Sequence, residues 1–327
     1  MDKGGAQAFV YAKACGRLAK SFVGEKANIL YQAKSLSELW TLVFKSPSPL
    51  IPEVLLAQKI EEEAFKKFIS DYVNFIDQFD KPEKFLSDQF FLYEVSNLKE
   101  IIDSLCAGEK NCPKLFDLGK YSTLHIDKWP DIEKITEGTE YSWLKELPDI
   151  HGQQKIEYRL DIQAVKHIWE SIHKTKGDAG KAVIKMFKDE FVIQNVLWAI
   201  RLKVNYEMSD EEIISKLMYV TDEPSLSDPV AAPAIKVLQR NPEKYSDWEN
   251  WELKEFLNPS DGGIWKINPA WIERKARIVQ NKDAIRLFHT NPLTSESLLG
   301  WYKIKQYELT CIRAAVESIR LNEKVEL

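Results

Sequence analysis

Glycine and proline are scarce in this chain, 13 and 14 among 327 residues. So few breakers argue against a fold of many tight turns and favour long helices. Runs of β-branched residues are short and broken by charge, so no set of alternating strands emerges. No apolar run approaches the roughly 18 residues that would span a bilayer. Residues 1–8 lead into no apolar core of signal-peptide type. The four cysteines (Cys15, Cys106, Cys112 and Cys311) lack metal-site spacing and fall short of a secreted disulfide framework. Cys106 and Cys112 read as a reduced cytoplasmic thiol pair. A basic excess is also missing: the formal net charge of −5 leaves no footprint for nucleic acid and no net pull towards an anionic membrane. Such a protein would work at a membrane by docking onto something embedded there.

What is present is helical text. Hydrophobic residues make up 44% and charged residues 29%, as in soluble globular proteins. The length exceeds what one core supports, so two or three subdomains are expected. Phe9, Val10, Ala14, Leu18 and Phe22 form one helical stripe, and the same period continues over 26–45 until Ser46-Pro-Ser-Pro49 breaks it. Helices are expected from Pro52 to Phe79, after Pro82 to Leu105, over Ile156–His173, from Lys181 to Lys203, and from Pro269 to about Phe288, with a final helix beyond Pro292. Gly177–Gly180 reads as a pause between two of them. Ser209 followed by three acidic residues is a helix start, where the dipole favours negative charge. Residues 106–126 read as loop, with room for small accessory strands, and 222–229 as a linker. All-α is the fold class.

Groups that could do chemistry do not converge. His167 and His173 lie six apart, about 600° round a helix, and cannot share a metal. His125, His151 and His289 have no partner at ligand spacing. Glu61–Glu63 and Asp210–Glu212 read as solvated helix faces rather than acid–base pairs. Gly177-Asp-Ala-Gly-Lys181 lacks the spacing, the following hydroxyl and the preceding strand of a phosphate loop. No catalytic, cofactor or metal site is expected. Ten tryptophans are many. Trp198 sits in a periodic helix and reads as core. Trp248, Trp251, Trp265 and Trp271 read as staples of an irregular subdomain or as an interface.

Three helices align without gaps, beginning at Tyr93, Phe191 and Tyr307, offsets of 98 and 116 residues. In each, the aromatic is followed by apolar groups two, five, eight and nine positions later. The period alone is common to amphipathic helices. Shared polar positions are more informative: Asn97 with Asn195, Glu94 with Glu308, and Lys99 with Arg313. Polar groups at the edge of an apolar stripe can bond to a neighbouring helix, so Asn97 and Asn195 read first as interhelix contacts.

The last of these helices carries Glu308-Leu-Thr-Cys-Ile-Arg313. It resembles the closing signature of the C-type (eukaryotic d-type) subunit family of rotary V-type and A-type ATPases: Glu, apolar, any residue, Asn, apolar, Arg. Cys311 departs from it, as does Val192, where the family's central copy often has an acid. The likeness extends through Tyr11–Leu18, the Asn195 helix and Met208-Ser209.

The resemblance implies three similar helical subdomains (1–125, 126–225 and 226–327) about a pseudo-threefold axis, forming a funnel with a central cavity. It implies a non-catalytic rotor subunit that caps the membrane rotor ring and receives the central stalk, without cofactor, nucleic acid or membrane span of its own. Its place would be peripheral, on the cytoplasmic side, during proton or sodium ion transport. Glu94, Asn97, Asn195, Glu308 and Arg313 would be structural contacts of the repeat. The acidic stretch 127–150 and the basic helix 272–286, with Arg274, Lys275 and Arg277, are candidate partner surfaces or else ordinary solvated faces. The rival readings are a soluble helical scaffold or adaptor and, less well supported, an all-α enzyme lacking its acidic metal motif.

Overall fold

A computed structural model describes residues 2–149, 152–260 and 264–322, and among these there are twelve α-helices and no strand. The all-α expectation holds. In chain order the helices are α1 (Lys3–Leu18), α2 (Leu36–Phe44), α3 (Glu53–Ile76), α4 (Lys84–Ser87), α5 (Phe91–Cys106) and α6 (Ile132–Thr136). They continue as α7 (Gln153–Ile172), α8 (Gly177–Asn205), α9 (Asp210–Ile214), α10 (Ala232–Leu238), α11 (Pro269–Thr290) and α12 (Ser295–Leu321). The chain divides into two compact units. One comprises Met1–Leu86, Gly177–Val183 and Arg277–Leu327, and the other Ser87–Lys176 and Ile184–Ala276.

Several helix limits differ from the sequence reading, each for a local reason. Residues 26–45 are not one helix: Gly24–Gln32 is a 3-10 segment and α2 starts afresh after Ser35. Ser35 is extended and its hydroxyl accepts from the Glu38 amide at 3.2 Å, while the Glu38 carboxylate accepts from the Lys34 amide at 2.7 Å. Those bonds satisfy helix-start amides that a continuous helix would not leave free. The segment after Pro82 is broken too, into α4, a 3-10 turn at Asp88–Phe90, and α5. Gly177–Gly180 is no pause, since it forms the first turn of α8. Residues 106–126 hold a 3-10 turn at Gly119–Tyr121 and no strand among the described residues. Ser209 does open a helix, and its reciprocal bonds with Glu212 make a complete capping box.

The first unit is centred on α3 and α12. Phe68, Tyr72 and Phe75 of α3 meet Trp301 and Tyr302 of α12, with Tyr72 and Trp301 nearly parallel at 6.3 Å and Phe75 edge-on to Trp301 at 4.9 Å. All five rings are buried, so aromatic area supplies much of the local packing energy. Arg17 of α1 pairs with the buried Asp71 of α3 at 3.1 Å. A second apolar cluster joins Leu30, Leu36, Leu39, Leu56 and Ile60 to Cys311, Ile312 and Val316.

The second unit packs α5 on α7 and gathers a core from α8, α10 and the irregular stretch before α11. Trp248, Trp251 and Trp265 are buried in that core, which fits the staple reading. Trp198 corrects the sequence reading. It is 45% exposed on α8, while Val196, Ala199 and Ile200 are buried. Two residues on from Val196 is about 200° round the helix, which carries Trp198 away from the core.

Candidate functional site

The three aligned helices fall on α5, α8 and α12, and their shared asparagines and glutamates do the same kind of work on irregular backbone. Asn97 of α5 is buried. Its carbonyl oxygen accepts from the Phe116 amide at 2.7 Å and its amide donates to the Phe116 carbonyl at 2.9 Å. Asn195 of α8 repeats this on Met218, accepting at 2.8 Å and donating at 2.7 Å, and donates also to the Val230 carbonyl at 3.1 Å. Each side chain thus satisfies both backbone groups of one residue in the loop beyond its helix, 19 and 23 positions downstream. The partner is loop backbone, where the sequence suggested another helix.

The carboxylates follow the same logic. Glu94 is buried on α5 and accepts the Thr123 amide. Burial raises its pKa above the ordinary range, against the opposing effect of the Thr123 and Leu124 amides. Glu308, at the matching position of α12, accepts the Phe22 amide at 2.7 Å and pairs with Lys305, which also donates to the Ser21 hydroxyl at 3.0 Å. The segment held here, at Ser21 and Phe22, precedes its helix in the chain instead of following it.

In the central copy Val192 stands where an acid would be, and the carboxylate comes from the loop itself. Asp228 is fully buried and accepts the amides of Val220 and Thr221 on one oxygen and of Val230 and Ala231 on the other, at 2.8–2.9 Å. Burial alone would raise its pKa, but those amides outweigh it and hold the group below its ordinary value. Sequence reading missed Asp228 as a functional anchor, since it falls in a stretch that reads as linker.

Cys311 occupies the asparagine position of the third copy. It lies buried beside Tyr31 and Tyr307, and burial raises its thiol pKa. Tyr31 is raised as well, by burial and then by the neighbouring thiol, while the same causes push Tyr307 up to about 12. Arg313 reaches Glu61 of α3 at 2.9 Å, and Lys99, its counterpart on α5, reaches Asp161 of α7 at 2.6 Å. Both are partly exposed pairs of small energetic weight.

The other residues singled out from the sequence are spread out. Arg274 and Lys275 stand near the Trp271 ring, at 6.0 and 5.2 Å from its centroid, on the part of α11 that belongs to the second unit. Arg277 lies on the part that belongs to the first. Among the histidines, His167 lies between Asp88 and Glu140 at 3.3 and 3.1 Å, and stacks on Phe91. His125 and His173 contact carbonyl oxygens, His289 approaches the Tyr11 hydroxyl, and His151 lies outside the described residues. No group of three metal-ligating side chains gathers among the described residues. Lys181 pairs with Asp178 at 3.0 Å within the first turn of α8.

A family model described as ATP synthase (C/AC39) subunit matches residues 16–326. A protein of Treponema pallidum (strain Nichols), itself described as uncharacterized, is 25% identical over 316 residues, covering 96% of this chain and 92% of that protein.

Proposed function

This chain belongs to the family of ATP synthase (C/AC39) subunits, and from that membership we propose that it is a non-catalytic rotor subunit of a V/A-type ATPase. In this reading it joins the central stalk to the membrane rotor ring and passes torque between them, from the cytoplasmic side. The observation that carries the reading is the near-complete span of the family match. Among the described residues no helix is long and apolar enough to cross a membrane, so contact with the ring would be made by docking.

A body that transmits torque has to keep its shape, and the buried clamps of Asn97, Asn195, Asp228 and Glu308 favour that by tying irregular segments to helices. The repeat supports three subdomains, 1–125, 126–225 and 226–327, about a pseudo-threefold axis with a central cavity for the stalk. The acidic stretch 127–150 and the basic residues Arg274, Lys275 and Arg277 are proposed as surfaces for two different partners, since opposite charges steer different encounters.

The test reverses Arg274, Lys275 and Arg277 to Glu and measures binding to isolated ring and isolated stalk separately. Loss of one partner with the other retained is the expected result. Unchanged binding to both, in a variant with the parent's circular dichroism, removes the basic helix from the interface. The isolated chain is also expected not to bind or hydrolyse ATP, because Gly177–Lys181 is a helical turn rather than a phosphate-cradling loop. Saturable nucleotide binding that disappears in Lys181→Ala would overturn this.

A further inference from the structure

A groove of about 510 Å³ opens in the second unit beside the start of α7, between residues 143–146 and Tyr219. One wall is a cation–π pair: the guanidinium carbon of Arg159 lies over the Trp143 ring, 3.6 Å from its centroid. The ring is fixed from behind, since its indole N–H donates to Gln163 at 2.9 Å and Gln163 in turn donates to the Glu140 carbonyl at 2.9 Å. Tyr158 is pinned by a 2.8 Å bond to the Leu217 carbonyl. Ile156 and Ile162 supply apolar floor.

The charges here are unequal. Lys155 and Arg159 both line the groove, one helical turn apart on α7, and neither has a carboxylate within ion-pair distance among the described residues. Lys145 at the rim is already paired with Glu133 at 3.0 Å. Glu146 is the one carboxylate in the lining. Nearby, Lys166 rests on the Tyr219 ring at 4.5 Å. The positive end of the α7 dipole adds to the excess. A guanidinium seated over an indole is partly positioned before binding, and its N–H edge can meet a carboxylate or phosphate with two parallel hydrogen bonds.

We propose that this groove binds an organic oxyanion, with its carboxylate or phosphate on Arg159 and Lys155 and its apolar body against Ile162 and Tyr219. A free organic acid carries that chemistry, and so does an acidic side chain beside an aromatic one in a neighbouring polypeptide. The site stands on the geometry of the second unit alone, whether or not the chain turns in a rotor.

The test uses the full chain labelled with 5-fluorotryptophan, whose fluorine spectrum has one signal for each of ten tryptophans; Trp143→Phe identifies the relevant one. The probes are phenyl phosphate, benzoate and a capped peptide bearing Asp next to Phe, with benzylamine as the cationic control. A saturable shift of the Trp143 signal is expected with the anions and not with benzylamine. Arg159→Gln is expected to weaken binding about tenfold or more, which is the loss of one charge-assisted bidentate contact. Arg159 is exposed, and the other nine signals report whether the variant is folded. If they move, Lys155→Gln replaces it, with weaker binding again expected. Tighter binding of the peptide than of phenyl phosphate assigns the site to a partner polypeptide, and the reverse order assigns it to a free ligand. No saturable shift from any anion, or equal affinity in both variants, overturns the proposal.

Discussion

At the scale of the residue, the same problem is met with different groups. A buried loop amide or carbonyl needs a partner, and an unmet one costs about 1–3 kcal/mol. Asn97 meets two such groups and Asn195 three, each with one side chain, so Asn97→Ala and Asn195→Ala are expected to lose about 1–3 kcal/mol in urea unfolding. Asn195→Ala is the costlier, since it also frees the Val230 carbonyl.

The two buried carboxylates should respond to pH in opposite senses. Asp228 has a folded pKa below its unfolded value, so its stabilisation is present above about pH 4 and is lost as pH falls through the folded value. Glu94 has a raised folded pKa. Its relative stabilisation is present below about pH 4 and is lost as pH rises through the folded value. Asp228→Asn should therefore show its largest deficit near neutrality and a smaller one in acid. Glu94→Gln, whose carbonyl can still accept the Thr123 amide, should improve relative to the parent as pH rises. Unfolding curves at about pH 2, 4 and 7 decide this: the Asp228→Asn deficit should shrink from about pH 4 to 2, Glu94→Gln should gain on the parent from about pH 4 to 7, and the opposite movements would contradict the environments described for them.

At the scale of the element, close approach of α12 to α11 depends on one absent side chain. A Cβ on Gly300 would lie 2.8 Å from the Ala284 carbonyl oxygen and 2.9 Å from the Phe288 nitrogen, both backbone atoms that cannot rotate away. Gly300→Ala is expected to part the helices and cost about 1–3 kcal/mol, despite alanine's better helix propensity. A lowered thermal midpoint with unchanged helical circular dichroism is the expected result, and an unchanged midpoint would show that the contact can relax.

Most elements of this kind were legible in the sequence, because long apolar periods and the Ser209 cap are local signals. The break before Ser35 was not, since it rests on side-chain bonds that compete with a continuing period. Trp198 was misread because an apolar residue inside a periodic run need not lie on the buried face. The aligned register of Glu94, Asn97, Asn195 and Glu308 could be read from sequence, but not the loop groups they hold. Those partners lie from 19 to 286 residues away, and no local rule names them. Asp228 was hidden for a related reason: nothing local distinguishes a fully buried aspartate from a linker one.

At the scale of the whole molecule, the bond from the Phe22 amide to Glu308 sets an order of events during synthesis. The two residues are 286 positions apart. At about 5–20 residues per second, the ribosome needs roughly fifteen seconds to one minute to make the chain between them. Throughout that time Ser21, Phe22 and the segment holding Leu30 lack the helix they will pack on, while α5, α7 and α8 are already complete. The earlier-made segment would then be among the last to settle, and it would present apolar side chains to the surroundings while it waits. In pulse-labelled translation, a protease cutting near residue 22 should cleave nascent chains that stop before α12 and spare full-length ones. Equal protection of both would mean that the early segment finds a temporary shelter elsewhere.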